Sequence, residues 1–197
     1  MSDSSSRRII ARIAARLARR SGLPPMILFT DDDRLTDPLA AAKALPRGSV
    51  VIVRARQPAR RHTLAMALRE VARAHGLFLL IAGDVALALK LGADGVHLSE
   101  RRIGEAAALR ARHGLVVTAA AHSLAAVRRA GWVDALILSA VLPTASHPER
   151  AALGVVRANL MARQMPKPVY ALGGVTAKNA GRLAGFCGIA AIGALAV

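Results

Sequence analysis

The stretch that most constrains this chain is residues 79–99, LLIAGDVALALKLGADGVHLS. Two apolar runs, 77–82 and 94–98, flank a helix-like piece, 84–91. The first run is continuous in Leu, Ile and Phe, the pattern of a strand buried on both faces. Asp84 is placed to cap the helix, because a short carboxylate accepts from the free N–H groups of a first turn. Gly92 is placed to end it, since glycine takes the left-handed conformation at little cost. A strand, a helical crossover and a second strand make the two strands parallel.

The unit repeats. Further strands are expected at 26–30, 50–53, 115–120, 135–139, 168–172 and 188–192, and helices at 37–45, 63–75, 104–113, 123–130, 148–164 and 176–183. Ser123 is the expected cap of the helix at 123–130. Eight strands alternating with helices predict an α/β fold, a closed (β/α)₈ TIM barrel. Only five residues follow the eighth strand, so the eighth outer helix is expected to be truncated or missing. That leaves an apolar flank in need of cover.

A candidate cover precedes the first strand. Residues 7–20 read as a helix with Ile9, Ile10, Ile13 and Leu17 on one side and Arg8, Arg12, Arg16 and Arg19 opposite. Residues 1–22 are therefore expected to be a basic amphipathic helix and linker, and 23–197 a single barrel domain. A second subunit, as in a homodimer, is the other way to cover the flank. The basic helix also fits a nucleic acid or an acidic membrane. Packing of its apolar stripe on the core is preferred, because no aromatic residues interleave with the arginines and that is the common fate of amphipathic helices.

Composition narrows the rest. Hydrophobic residues make up 54% of the 197 and aromatic residues 3%, so the core must be built from Ala, Leu, Val and Ile. The single cysteine, Cys187, cannot form an internal disulfide, and a reducing, cytoplasmic setting is expected. No uncharged apolar stretch is long enough to span a membrane, and arginines interrupt any secretory-type segment at the N-terminus. The 28 basic residues against 12 acidic ones favour anionic partners, phosphorylated metabolites among them.

Four segments together resemble one family: GADGVHL in the opening unit, AHSLAAVRRA, the VLPT turn after the sixth strand, and VYALGGVTAKNAGRL before the last strand. Over about residues 27–192 the chain resembles the thiamin phosphate synthase/TenI family. The resemblance implies a transferase of thiamin biosynthesis that joins a pyrimidine pyrophosphate to a thiazole phosphate and releases pyrophosphate. It implies Mg²⁺ plus cationic donors at the leaving group. The TenI branch implies a thiazole tautomerase instead, and its histidine aligns here with Ala140.

The family's site maps onto this chain unevenly. Its Gln-x-Arg-x-Lys pattern after strand two falls on Ile52, Arg54 and Arg56, which retains two cations. Its Asn-Asp after strand three falls on Ala82 and Gly83, and its acidic metal ligand after strand four falls on Arg102, beside Arg101. Both metal carboxylates are thus absent, although Asp84 and Glu100 stand nearby. Arg54, Arg56, Arg101 and Arg102 are expected to neutralise the anion instead. Ser-x-His after strand five reads Ala120, Ala121, His122, and His122 is either a site residue or a structural partner. The Thr-x-Thr-Lys region reads Thr144, Ala145, Ser146, His147. Gly173, Gly174, Ile192 and Gly193 match the family's phosphate-binding backbone, where bare N–H groups and an adjacent helix N-terminus meet an anion.

Overall fold

A computed structural model describes residues 3–19, 21–122, 130–144 and 151–195. Eight parallel strands, each bonded to the next and the last to the first, close a barrel. They are β1 (Met26–Phe29), β2 (Val50–Val53), β3 (Phe78–Ala82), β4 (Gly95–Leu98), β5 (Val116–Ala121), β6 (Ala135–Leu138), β7 (Val169–Leu172) and β8 (Gly188–Ala191). The helices are α1 (Asp3–Ala18), α2 (Pro38–Lys43), α3 (Pro58–His75), α4 (Val85–Leu91), α5 (Ala106–His113) and α6 (Val155–Gln164).

Strand alternation sorts the core into two layers. Ile27, Phe29, Val50, Ile52, Leu80, Ile137, Tyr170 and Ala190 point inward and fill the barrel. Their neighbours, such as Leu28, Val51, Leu79, Ile81, Leu136 and Ile189, point outward under the helices. The opening unit folds as its residues dictate. Asp84 Oδ1 accepts from the Leu87 N–H at 3.0 Å, and Gly92 ends α4 at φ 59°. Asp37 caps α2 in the same way, from the Ala40 N–H at 2.8 Å.

The expected cover is in place. Helix α1 packs on β8, β1 and the 3₁₀ turn Ala180–Arg182. Ile10, Ala14 and Ala18 are buried there, with Ile13 and Leu17 half-buried, while Arg8, Arg12 and Arg16 face solvent. Two of the three buried contacts are alanines, whose small side chains let the helix lie close to the sheet. Among the described residues β8 is followed only by a 3₁₀ turn, Gly193–Leu195.

Other expectations need correction. The helix expected at 176–183 does not form; a 3₁₀ turn, Ala180–Arg182, stands there. The Asn179 side chain accepts from the Thr176 N–H at 2.7 Å and donates to the Gly174 carbonyl at 2.8 Å, so it competes with helical bonding, and Gly181 weakens the helix further. The proposed aid of a helix N-terminus beside Gly173 and Gly174 is lost with it. Residues Glu100–Glu105 form a 3₁₀ segment before α5. Helix α3 begins at Pro58, a residue suited to a first turn, and α6 begins only after Gly154, whose φ is 75°. The helix expected at 123–130 lies almost wholly outside the described residues, as do Ser123, residues 148–150 of the helix expected at 148–164, and His147.

Candidate functional site

The C-terminal ends of the strands open into a cavity of about 680 Å³. Of the residues singled out from the sequence, Arg54, His122, Thr144, Gly173, Gly174, Ile192 and Gly193 line it. They come from β2, β5, β6, β7 and β8 and span 140 residues of sequence, and only barrel closure brings them together. Arg56 lines a neighbouring cavity of about 340 Å³, which shares Arg34 and Arg54 with the first. Arg101 and Arg102 line neither.

The wall after β1 and β2 is an ion network. Asp31 Oδ1 accepts the backbone N–H groups of Asp33 and Arg34, at 3.2 and 3.1 Å, and so closes a turn. The same carboxylate takes Arg34 side-on, Nε at 3.1 Å and Nη2 at 2.8 Å, and also pairs with Arg54 Nη2. The Arg34 hydrogen bonds hold Asp31 well below the usual carboxylate range, against the opposing effect of burial. Arg56 pairs with Asp33, and Arg60 with Asp32 at 2.9 Å. Thr30, buried at the end of β1, locks the two strand ends: its Oγ1 accepts the Arg54 N–H and donates to the Arg54 carbonyl, both at 2.8 Å.

Behind Arg54 stands a residue that the motif reading passed over. The Arg54 guanidinium carbon lies 5.9 Å from the centre of the Phe29 ring, and Phe29 meets His97 edge-on at 5.0 Å. His97 Nδ1 is 3.0 Å from Thr118 Oγ1. Burial, with the charges of Arg54 and His122, lowers the His97 pKa to about 3, so the ring is neutral at physiological pH. The signal for it was its place inside GADGVHL, on an inward-facing position of β4. Arg34 and Asp31 were signalled only by their place at a strand's C-terminal end, where barrel sites lie.

His122 is oriented from both sides. Its backbone N–H donates to Glu100 Oε2 at 2.7 Å, and its Nδ1 donates to the Ser139 carbonyl at 3.0 Å. In the neutral ring this leaves Nε2 as the acceptor, the form needed to take a proton.

The glycines after β7 answer a packing demand. A Cβ on Gly174 would fall 2.3 Å from the Pro143 carbonyl oxygen and 2.7 Å from that of Leu142, and its φ is +67°. Gly193 is freer: a Cβ there would be 3.7 Å from the Arg34 carbonyl, an ordinary contact.

The wall after β3 and β4 is built differently. Arg102 Nη1 donates to the Gly83 carbonyl at 2.6 Å, while Nε and Nη2 clasp Glu105, both at 2.7 Å. That bond raises the Arg102 pKa and lowers that of Glu105. Gly83 and Arg102 are the two positions where the family resemblance implies metal carboxylates, and here a guanidinium joins them. Nearby Asp84 caps α4 and pairs with Arg61 at 3.2 Å. Among the described residues no group of three His, Cys, Asp or Glu side chains is placed to hold a metal. Mg²⁺ needs carboxylate oxygen and is repelled by a fixed cation, so these residues do not fit it.

Chemically, the mouth can hold an anion against arginine and glycine backbone and offers an imidazole for proton transfer. Cys187 is no nucleophile, because burial pushes its thiol up to about 12. No helix among the described residues is long and apolar enough to cross a membrane.

Comparison with known proteins agrees with the barrel. The chain is 33% identical over 117 residues to the putative thiamine-phosphate synthase 2 of Aquifex aeolicus, covering 58% of this chain and 63% of that one, a little under two thirds of its length. It is 35% identical over 159 residues to the thiamine-phosphate synthase of Thioalkalivibrio sulfidiphilus, covering 74% and 73%. Among solved structures, thiamine phosphate pyrophosphorylase from Pyrococcus furiosus superposes with a TM-score of 0.72 at 24% identity, over 88% of this chain and 87% of that chain, a likeness of fold. The family model described as thiamine monophosphate synthase matches residues 26–195, and the chain therefore belongs to the thiamine monophosphate synthase/TenI family.

Proposed function

We propose that this chain acts in thiamin biosynthesis as a thiamin phosphate synthase-like transferase, joining a pyrimidine pyrophosphate to a thiazole phosphate with release of pyrophosphate. The observation that carries the reading is the 680 Å³ mouth, in which arginine, threonine and the glycines of the β7 and β8 loops converge. The bond that breaks joins a benzylic-type carbon to pyrophosphate, so the barrier falls as the departing charge is neutralised. Arg54 and Arg56 stand on the wall where that charge would gather, and Gly173, Gly174, Ile192 and Gly193 suit a phosphate of the second substrate. His122 lines the same mouth and offers its imidazole to the substrates as a hydrogen-bonding group. The same reading places the protein in the cytoplasm.

Turnover with the two substrates in the presence of EDTA is the test. Product formed without divalent metal supports an arginine-based site. Strict Mg²⁺ dependence counts against it, and no turnover with or without metal removes the synthase reading.

A second reading has its own support. Gly83, Arg102 and Ala120 leave the leaving-group side short of the groups that the resemblance implies for catalysis. A barrel that binds thiamin phosphate or thiazole phosphate without converting it would be stabilised by either ligand and give no product from the paired substrates.

A further inference from the structure

The loops around the mouth carry many arginines, but their charges are not equally free. Arg56 has Asp33, Arg60 has Asp32, Arg61 has Asp84 and Arg102 has Glu105, each cation matched by a carboxylate. Among the described residues Asp31 alone serves two guanidinium groups, Arg34 and Arg54. The uncancelled positive charge of this wall therefore sits on that trio.

Its exposure points the same way. The Asp31 side chain is 11% exposed, and those of Arg34 and Arg54 are 33% and 43% exposed. The carboxylate is covered by its two partners, which present themselves to the cavity. Arg34 spends Nε and Nη2 on Asp31, and its Nη1 meets no acceptor among the described residues. A guanidinium held in a plane with one edge open is suited to a phosphoryl oxygen, because the geometry is set before the ligand arrives.

Position supplies the last element. The Arg34 carbonyl lies beside Gly193, so the loop after β1 packs next to the loop after β8. Arg34 thus shares one cavity with Gly173, Gly174 and Gly193.

We propose that Arg34, on the loop after β1, is the side-chain cation that receives a phosphoryl anion of the ligand in this mouth, and that Asp31 is the positioning residue that fixes it beside Arg54. This rests on the phosphate-binding reading of the mouth and adds to it a residue that no motif pointed to. Arg54 alone would place the cation on the β2 wall. Arg34 extends it across β1 toward the glycines of β8, and so favours a ligand whose anion lies between the two walls.

The test is calorimetric titration of inorganic pyrophosphate, and separately of inorganic phosphate, into the full chain at low ionic strength. Arg34→Gln is expected to weaken binding of at least one of the two anions tenfold or more, and Arg34→Lys to recover part of the loss. Loss confined to pyrophosphate assigns Arg34 to the leaving group, and loss for both assigns it to a phosphoryl group in general. Arg73→Gln, on the exposed face of α3, is the control and is expected to change neither. Unchanged affinity for both anions in Arg34→Gln, with an unchanged melting temperature, overturns the proposal. Should Arg34→Gln not fold, Arg34→Lys decides: a threefold or larger loss supports the planar fork and no loss rejects it. Because binding is read without turnover, an inactive protein that loses anion affinity in Arg34→Gln sinks the synthase reading alone. An active protein whose KM and anion affinity ignore Arg34 sinks this proposal alone.

Discussion

The two sides of the barrel mouth have been treated differently. On the β7, β8 and β1 side, glycine backbone and two half-exposed arginines surround open space. On the β3 and β4 side, Arg102 closes on Gly83 and Glu105. The glycines that match the family's phosphate-binding backbone are kept on the first side, whereas the metal carboxylates that the resemblance implies on the second are replaced by Gly83 and Arg102. Resemblance along a chain is therefore not uniform evidence of function: one half of a site can persist while the other becomes a self-contained ion pair.

The largest effect should come from the open side. Gly174→Ala must place a methyl group against two carbonyl oxygens at a positive φ, and is expected to cost about 3 kcal/mol or more in urea unfolding. Gly193→Ala meets only an ordinary contact and should stay within about 0.5 kcal/mol of the parent, while weakening phosphate binding. Equal stability loss in both would erase the distinction between packing glycine and ligand-facing glycine.

His97, inside the barrel on β4, has an effect confined to acid pH. The unfolded chain takes a proton near pH 6.5, whereas the folded chain refuses it until about 3. The unfolded state therefore binds more protons in that window, and stability falls as the pH drops from 6.5 toward 3, by at most about 1.4 kcal/mol per pH unit. His97→Gln retains a polar partner for Thr118 without titrating, and should flatten this acid limb. An identical acid limb in the variant would assign the pH dependence to other groups.

The smallest effect is expected on the closed side. Arg102→Ala removes a partly exposed ion pair and should cost less than about 1 kcal/mol. Millimolar Mg²⁺ or EDTA should leave both the melting temperature and pyrophosphate affinity unchanged in the parent protein. A metal-dependent rise in either would show that the β3–β4 wall still holds a cation other than Arg102.

Much of the fold was legible because its signals are local. Asp84 and Gly92 mark both ends of α4 within one short stretch, and the apolar runs at 77–82 and 94–98 are strands wherever they end up. The segment 176–183 misled for a local reason too: the Asn179 side chain bonds the backbone that a helix would have used. Half of the site was legible as well. Arg54, His122, Thr144 and the glycines could be placed at strand ends and do line one cavity. Arg34 was not, since an arginine after three aspartates looks like any solvated turn. Arg101 and Arg102 were expected to face an anion, but nothing near them in sequence reveals that Arg102 would turn onto Gly83, 19 residues away.

The chain's own order of residues thus determines eight strands, a small-aliphatic core, a basic amphipathic helix before the first strand, and the absence of the carboxylates that the family resemblance implies at Gly83 and Arg102. Tertiary structure alone decided which charges cancel. Asp31 meets Arg54 across 23 residues, α1 lies on β8 from the far end of the chain, and Arg34 comes beside Gly193. Secondary structure follows from periods of two and 3.6 residues, which a sequence displays. Charge pairing follows from which loops converge at the barrel mouth, and that is set only when the eighth strand closes on the first.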